Sequence, residues 1–199
     1  MDLGCADAFS ALLRRKRVGW LKRLRIRAAT LGDSPLLADL AERTWSDVAR
    51  GVIGHEDMVA HLAEVRANAD IVAAVESQTI LVAESDGALV GWVEFGDLAI
   101  AGVDVRPGDQ ELRRLYVETP HQGMGIGRQL MTAALAHPRL AAARRVFLQV
   151  WEQNERAIRL YESLGFRSVG TTTFRIGTHV QAELVLQLEP SRLPRLPRA

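Results

Sequence analysis

The sequence predicts a mixed α/β domain, and three observations carry that prediction. Apolar residues recur at helical spacing between residues 36 and 76, and runs of β-formers replace them between residues 79 and 117. A glycine-rich loop then separates a strand from a helix that leads into another strand, which is one crossover unit. A chain of 199 residues, 48% hydrophobic and 25% charged, fits one globular domain that can bury a core without disulfides or metal.

Taken in order, Leu24–Ala28 reads as a short strand with Leu24, Ile26 and Ala28 on one face. Asp33-Ser34-Pro35 reads as a helix start, a capping side chain followed by Pro at the first helical position. The helix carries Leu36, Leu37, Leu40, Ala41, Trp45 and Val48. A second helix is expected around His55–Asn68, on Met58, Leu62 and Val65, and a short helical turn at Ile71–Glu76. Thr79–Ser85 and Ala88–Phe95 form a hairpin through Asp86-Gly87, and Glu111–Val117 is a third strand. After the glycine loop comes a helix over Gly127–Ala136, stopped by Pro138. Arg145–Trp151 is a strand, and Asn154–Leu164 a helix ended by Gly165 at the left-handed position. Arg167–Arg175 and Val180–Leu188 close the domain as strands joined through Gly177-Thr178.

The ends differ from the body. Residues 1–27 hold eight Lys/Arg against two Asp, a net +6, and residues 191–199 hold three Arg. The formal total is +1, so residues 28–190 carry −8. An acidic body suits a cationic small substrate and disfavours a nucleic-acid groove. Residues 1–22 read as a basic, flexible extension, 23–190 as the domain, and 191–199, with its prolines and arginines, as a disordered tail. The N-terminus lacks the charge order of a signal peptide, and no apolar run is long enough to span a membrane. The single cysteine, Cys5, excludes an internal disulfide and a cysteine-rich zinc site and is compatible with a reducing cytoplasm. The five histidines, His55, His61, His121, His137 and His179, show no metal-ligand spacing, so no metal is expected.

Two constellations carry chemistry. Gly123, Gly125 and Gly127 stand between a strand and a helix, where backbone N–H groups can converge on a phosphate at the positive end of the helix dipole. Such a loop is also a plain tight turn. The Gly-Lys-Ser/Thr ending of a P-loop is missing, and G-x-G-x-G is not the dinucleotide spacing. Downstream, Asn154 and Tyr161 lie seven residues apart, about 700° of turn, on one helical face with Ala157 between them. Asn154 fits a helix cap and a ligand contact together. Tyr161 fits either a core tyrosine or a ligand contact.

Together and in this order, the two constellations resemble the GNAT superfamily of N-acetyltransferases. Leu115-Tyr116-Val117 followed by Gln122-Gly123-Met124-Gly125-Ile126-Gly127 looks like its Q/R-x-x-G-x-G/A motif and the strand before it. Asn154 through Tyr161, then Leu164-Gly165-Phe166, looks like the motif that follows. Within the superfamily, Val150-Trp151-Glu152, Tyr161…Gly165-Phe166 and Phe174-Arg175-Ile176-Gly177 through Gln181 resemble bacterial spermidine/spermine acetyltransferases of the Pai type. One departure concerns the acceptor: the acidic residue often seen near the position of Ala182 is displaced to Glu183.

The resemblance implies the acyl-CoA N-acyltransferase fold, in which two central parallel strands, Glu111–Val117 and Arg145–Trp151, splay apart. It implies acetyl-CoA as co-substrate. Leu115, Tyr116 and Val117 would pair with the pantetheine arm, Gln122, Gly123, Met124, Gly125, Ile126, Gly127 and Arg128 would form the pyrophosphate cradle, and Asn154 and Ala157 would face the cofactor. Tyr161 would act as general acid. The base that frees the attacking amine is expected to be Glu111, with Glu94 second, and the backbone N–H of Val117 would stabilise the oxyanion. Cys5 lies outside the motifs, which disfavours a covalent intermediate. The expected partner is a small primary amine such as a polyamine, with no nucleic acid and no stable membrane association; a homodimer stays open. The alternatives are a protein N-terminal or lysine acetyltransferase, an antibiotic acetyltransferase, and a non-catalytic acyl-CoA-binding module.

Overall fold

The computed structural model describes residues 24–49, 53–54, 56–59, 69–77 and 79–190. Seven strands form one mixed sheet in the order β1-β2-β3-β4-β5-β7-β6. They are β1 (Arg25–Ala28), β2 (Ile80–Ser85), β3 (Ala88–Asp97), β4 (Asp109–Val117), β5 (Arg145–Trp151), β6 (Arg167–Ile176) and β7 (His179–Leu188). The helices are α1 (Ser34–Ala49), α2 (Ala69–Glu76), α3 (Ile126–Ala136), α4 (Pro138–Ala141) and α5 (Glu155–Ser163). Every pairing is antiparallel except β4 with β5, the two strands joined by the α3 crossover.

Strand alternation sorts side chains to the two faces of the sheet. On one face, Val93, Phe95, Leu112, Val146, Leu148 and Leu186 pack against Ile126, Leu130, Met131 and Ala134 of α3 and Tyr161 of α5. On the other, Ile80, Val82 and Trp92 pack against Leu37, Leu40 and Ala41 of α1 and Ile71, Ala74 and Val75 of α2. Each fully buried Leu or Ile contributes about 1.5–3 kcal/mol. The loop after β3 adds Leu98 and Ile100, which cover Phe147 and Val185. No helix among the described residues is long and apolar enough to cross a membrane.

The expected element order is present, with local differences. Asp33 does not begin α1 as its cap. It ends a 3₁₀ turn, Leu31–Asp33, where its carboxylate accepts the N–H of Thr30 at 2.7 Å and pairs with Arg27 at 2.7 Å. The chain therefore turns before the helix, and Thr30 is the residue that caps. Pro138 stops α3 as expected but also opens α4, with the His137 ring receiving the N–H of Arg139 at 3.3 Å. Residues 56–59 are helical. The rest of the expected His55–Asn68 helix lies outside the described residues, as do the expected extension 1–22 and tail 191–199.

β4 and β5 pair over three positions only, Asp109↔Arg145, Gln110↔Val146 and Glu111↔Phe147, and then diverge. The paired end is pinned by an ion pair. Asp109, whose side chain is 0% exposed, accepts both Nε and a terminal nitrogen of Arg145 and also the N–H of Arg106 at 2.8 Å. Breaking a buried pair by removing one partner costs about 3–5 kcal/mol, so Asp109→Ala is expected to lose that much in urea unfolding. Arg145 holds the Asp109 carboxyl below the usual carboxylate range. A depressed carboxyl stabilises the fold above its unfolded value, about 3.9, and the stability is lost as pH falls through the lower folded value. The variant should lack that part of the acid limb, and equal stabilities at pH 7 would remove the pin from this account.

Candidate active site

The divergence of β4 from β5 opens a cleft of about 880 Å³. Four pieces of chain line its half beside α3 and α5: the far half of β4, the glycine loop with the start of α3, the end of β5, and one face of α5. Glu118 donates its N–H to Val90 of β3 at 3.0 Å. Alternation then turns the N–H and C=O groups of Leu115 and Val117 the other way, into the opening. A bulge on β4, where Arg113 is the extra residue opposite the Glu94–Phe95 step of β3, bends β4 just below these residues.

At the top of the opening, Gly123 and Gly125 take φ of +78° and +85°, and Gly125 is the N-cap residue of α3. A Cβ built on Gly125 meets nothing within 4 Å, so space lies in front of the helix N-terminus. Gln122 ties this loop to its neighbours. Its amide nitrogen donates to the Val117 carbonyl at 3.0 Å, and its oxygen accepts Arg156 of α5 at 2.8 Å. Arg128, Arg156 and Arg159 all reach the same mouth. A cradle of N–H groups, a helix N-terminus and three guanidinium groups fits a polyphosphate chemically.

On α5, Asn154 caps the helix, its oxygen accepting the Ala157 N–H at 3.2 Å, and it lines the cleft as well. Tyr161, two turns on, is buried, tilts against Phe166 at 5.9 Å and is among the residues that line the cleft. Burial pushes its hydroxyl well above the usual phenol range, with a smaller push from Tyr116, so it stays protonated at neutral pH. Glu111 sits at the closed end of the opening. It is buried, accepts the Ala99 N–H at 2.8 Å, and its carboxyl is raised by burial.

Most of the expected site residues therefore come together. Glu111, Leu115, Tyr116, Val117, Gln122, Gly123, Gly125, Ile126, Gly127, Arg128, Asn154, Ala157 and Tyr161 share the cleft. Met124 does not line it; its side chain packs toward the core under the loop. Tyr116 contributes a wall, stacking on Trp92 at 5.9 Å. Glu94 is also outside the cleft wall and is held by Arg114 at 2.6 Å and Arg113 at 3.7 Å, which commits its charge to the sheet.

The cleft continues over the face covered by α1 and α2, where Trp45, Ile53, Trp92, Tyr116, Phe174, Ile176, Gln181 and Glu183 line it. That half is roofed where Met58 and Ile53 meet Trp45, Phe174 and Ile176. Asp57 fastens the roof to the β6–β7 turn, accepting the N–H of Thr178 at 3.1 Å and its hydroxyl at 2.8 Å. A Cβ on Gly177, at φ +53°, would collide with the Asp57 carboxylate, so the turn needs glycine there. Sequence reasoning named few of these residues as site residues. The period of two along Gln181, Glu183 and Val185 is the one signal that groups the β7 members.

Comparison with known proteins gives a consistent result. Residues 39–166 match the family described as Acetyltransferase (GNAT) family. An uncharacterized N-acetyltransferase of Mycobacterium tuberculosis is 38% identical over 112 residues, 56% of this chain and 67% of that protein. A spermine/spermidine N(1)-acetyltransferase of Bacillus subtilis is 32% identical over 90 residues, 45% of this chain and 59% of that protein. Among solved structures, the PaiA N-acetyltransferase of Thermoplasma acidophilum, in complex with coenzyme A, superposes with a TM-score of 0.65 at 22% identity, covering 83% of this chain and 98% of that one. A ribosomal-protein-alanine N-acetyltransferase of Brucella melitensis gives 0.66 at 23% identity, covering 83% and 99%.

Proposed function

The chain belongs to the acetyltransferase (GNAT) family and is an acetyl-CoA-dependent N-acetyltransferase, and from that premise we propose that it acetylates a small primary amine by direct attack in a ternary complex. The observation that carries this reading is the opening between β4 and β5, with the glycine loop at its mouth and Tyr161 in its wall. In this reading the backbone of Leu115–Val117 holds the pantetheine arm. The N–H groups of Gly123–Arg128, with Gln122 bracing the loop, hold the pyrophosphate, and Asn154 and Ala157 border the arm.

The attacking nitrogen needs a lone pair, so an ammonium must first lose a proton. Glu111 takes it through a water molecule. The nitrogen then bonds to the acetyl carbonyl carbon, and the oxygen that gains negative charge lies against the Val117 N–H. As the carbon–sulfur bond breaks, Tyr161 gives its proton to the departing thiolate, and the second proton that the nitrogen loses on becoming an amide restores the Tyr161 hydroxyl. The products are the amide and free coenzyme A.

The acceptor in this reading is cationic, with polyamines first among candidates. The Bacillus relative's activity and the −8 charge of residues 28–190 support that choice. A cytoplasmic location, which one cysteine in 199 residues permits, belongs to the same proposal. Acetyl-CoA incubated with a panel of amines should release thiol above the amine-free blank for at least one of them. Donor binding without release from any amine would leave a binding module in place of this reading.

The base assignment has its own test. Burial raises the Glu111 carboxyl, so it becomes a base only above the ordinary carboxylate value of about 4.3, and activity falls as pH drops through the raised value. Glu111→Gln should remove that acidic limb from the profile of kcat/KM. The same limb in wild type and variant would assign the base elsewhere.

A further inference from the structure

Three glutamates are buried in the central part of the sheet: Glu94, 3% exposed, Glu111, 8%, and Glu183, 7%. Two are accounted for. Glu94 is paired with Arg114 and Arg113, and Glu111 accepts the Ala99 N–H and sits where the base is needed. Glu183 differs. The Gln181 amide donates to it at 3.0 Å, and among the described residues no cationic side chain pairs with it. Burial pushes its carboxyl up, and Gln181 only partly opposes that.

A buried carboxylate without a counter-cation costs several kcal/mol. Apolar packing would have supplied a cheaper residue at this position, as it does at Val185, two residues on and on the same face. Around Glu183, Trp45, Trp92, Tyr116 and Phe174 line the same half of the cleft. Aromatic faces beside a carboxylate make a site for an organic cation, because ring quadrupole and carboxylate attract the same charge. Glu183 also lies off the line of the reaction. It stands on β7 opposite Trp151 of β5, one strand spacing, about 4.8 Å, beyond the strand that borders the opening.

We propose that Glu183 receives a protonated amine of the acceptor, one distinct from the nitrogen that is acetylated, with Gln181 fixing the orientation of the carboxylate. The proposal rests on the acetyltransferase reading above and adds the residue that selects the acceptor. A nitrogen facing the thioester must be neutral when it attacks, whereas the second nitrogen keeps its charge. Glu183 supplies the counter-charge for the second one and, among the described residues, for no other side chain.

Two acceptors of equal length test it, 1,4-diaminobutane and butylamine, each with acetyl-CoA and followed by thiol release. Wild type should favour the diamine in kcat/KM by about 10- to 100-fold, the weight of a hydrogen bond to a charged group. Glu183→Gln, an isosteric change, should bring that ratio close to one, chiefly through the KM of the diamine, with acetyl-CoA affinity by calorimetry matching wild type. Glu183→Asp should restore part of the ratio. If Glu183→Gln fails to fold, as judged by circular dichroism, the Asp variant is measured alone and must lower the ratio. A ratio that survives either substitution overturns the proposal. So does an equal loss of kcat on both amines, which would make Glu183 a base. Equal kcat/KM for the two amines in wild type overturns this assignment alone, whereas no thiol release from either amine or from spermidine overturns the acceptor reading beneath it.

Discussion

Tyr161→Phe lowers kcat by about 10²–10⁴-fold, the usual range for a positioned acid, and leaves acetyl-CoA affinity at its wild-type value. The phenol ring is buried and packs against Phe166, so a phenylalanine keeps that packing and the fold. What disappears is one oxygen. Among the described residues no side chain bonds that oxygen, so its loss strands none of them. Taken alone, the raised phenol is a weak acid for a thiolate, since ordinary thiols titrate near 8.5 and ordinary phenols near 10. Burial acts on both alike. A thiolate expelled into the same apolar wall also holds its proton more tightly, so the two affinities move together. The readouts separate chemistry from binding: steady-state kinetics for kcat, calorimetry for the donor. A thioester whose thiol is more acidic needs less help in leaving, so the variant's deficit should shrink with such a donor. An unchanged kcat would return Tyr161 to the core, the other role its sequence position allows.

The parts of this molecule that were legible in the sequence are those that local chain chemistry decides. The hairpin at Asp86-Gly87, the stop at Gly165 with φ +97°, and the cap at Asn154 each follow from a few adjacent residues. The expected donor residues are legible for the same reason, because they fall in two contiguous runs. The rest depends on distant partners. Asp33 reads as a helix cap until Arg27 and Thr30 turn it the other way. Glu94 reads as the second candidate for the base until the β3–β4 register sets Arg114 opposite it. The short β4–β5 pairing depends on Asp109 meeting Arg145, 36 residues on. The half of the cleft under α1 and α2 draws on α1, β3, β4, β6 and β7, so no single run of sequence announces it. Glu183 shows the limit most clearly: alternation gives its face, while only the assembled sheet gives its burial.

Gly125→Val should abolish acetyl-CoA binding by calorimetry while the protein stays folded. Two properties of the position lead there. Gly125 sits at φ +85°, ψ +3°, which an L side chain enters at a cost of about 1–2 kcal/mol. For a domain of this size that lowers the midpoint by a few degrees, roughly 2–4 °C per kcal/mol. A Cβ there meets no atom of the protein within 4 Å, so the scaffold need not yield to the new side chain. The isopropyl group instead fills the space in front of the α3 N-terminus, where a phosphate would need to approach the N–H groups closely. Strain and blockage make different predictions, and Gly125→Ala separates them. Alanine carries most of the backbone strain and one third of the added carbon atoms. If strain alone mattered, the two variants would bind the donor alike; if blockage matters, alanine keeps measurable affinity and valine does not. Wild-type affinity in the folded valine variant would reduce the loop to a tight turn, and the opening beside it would need another ligand.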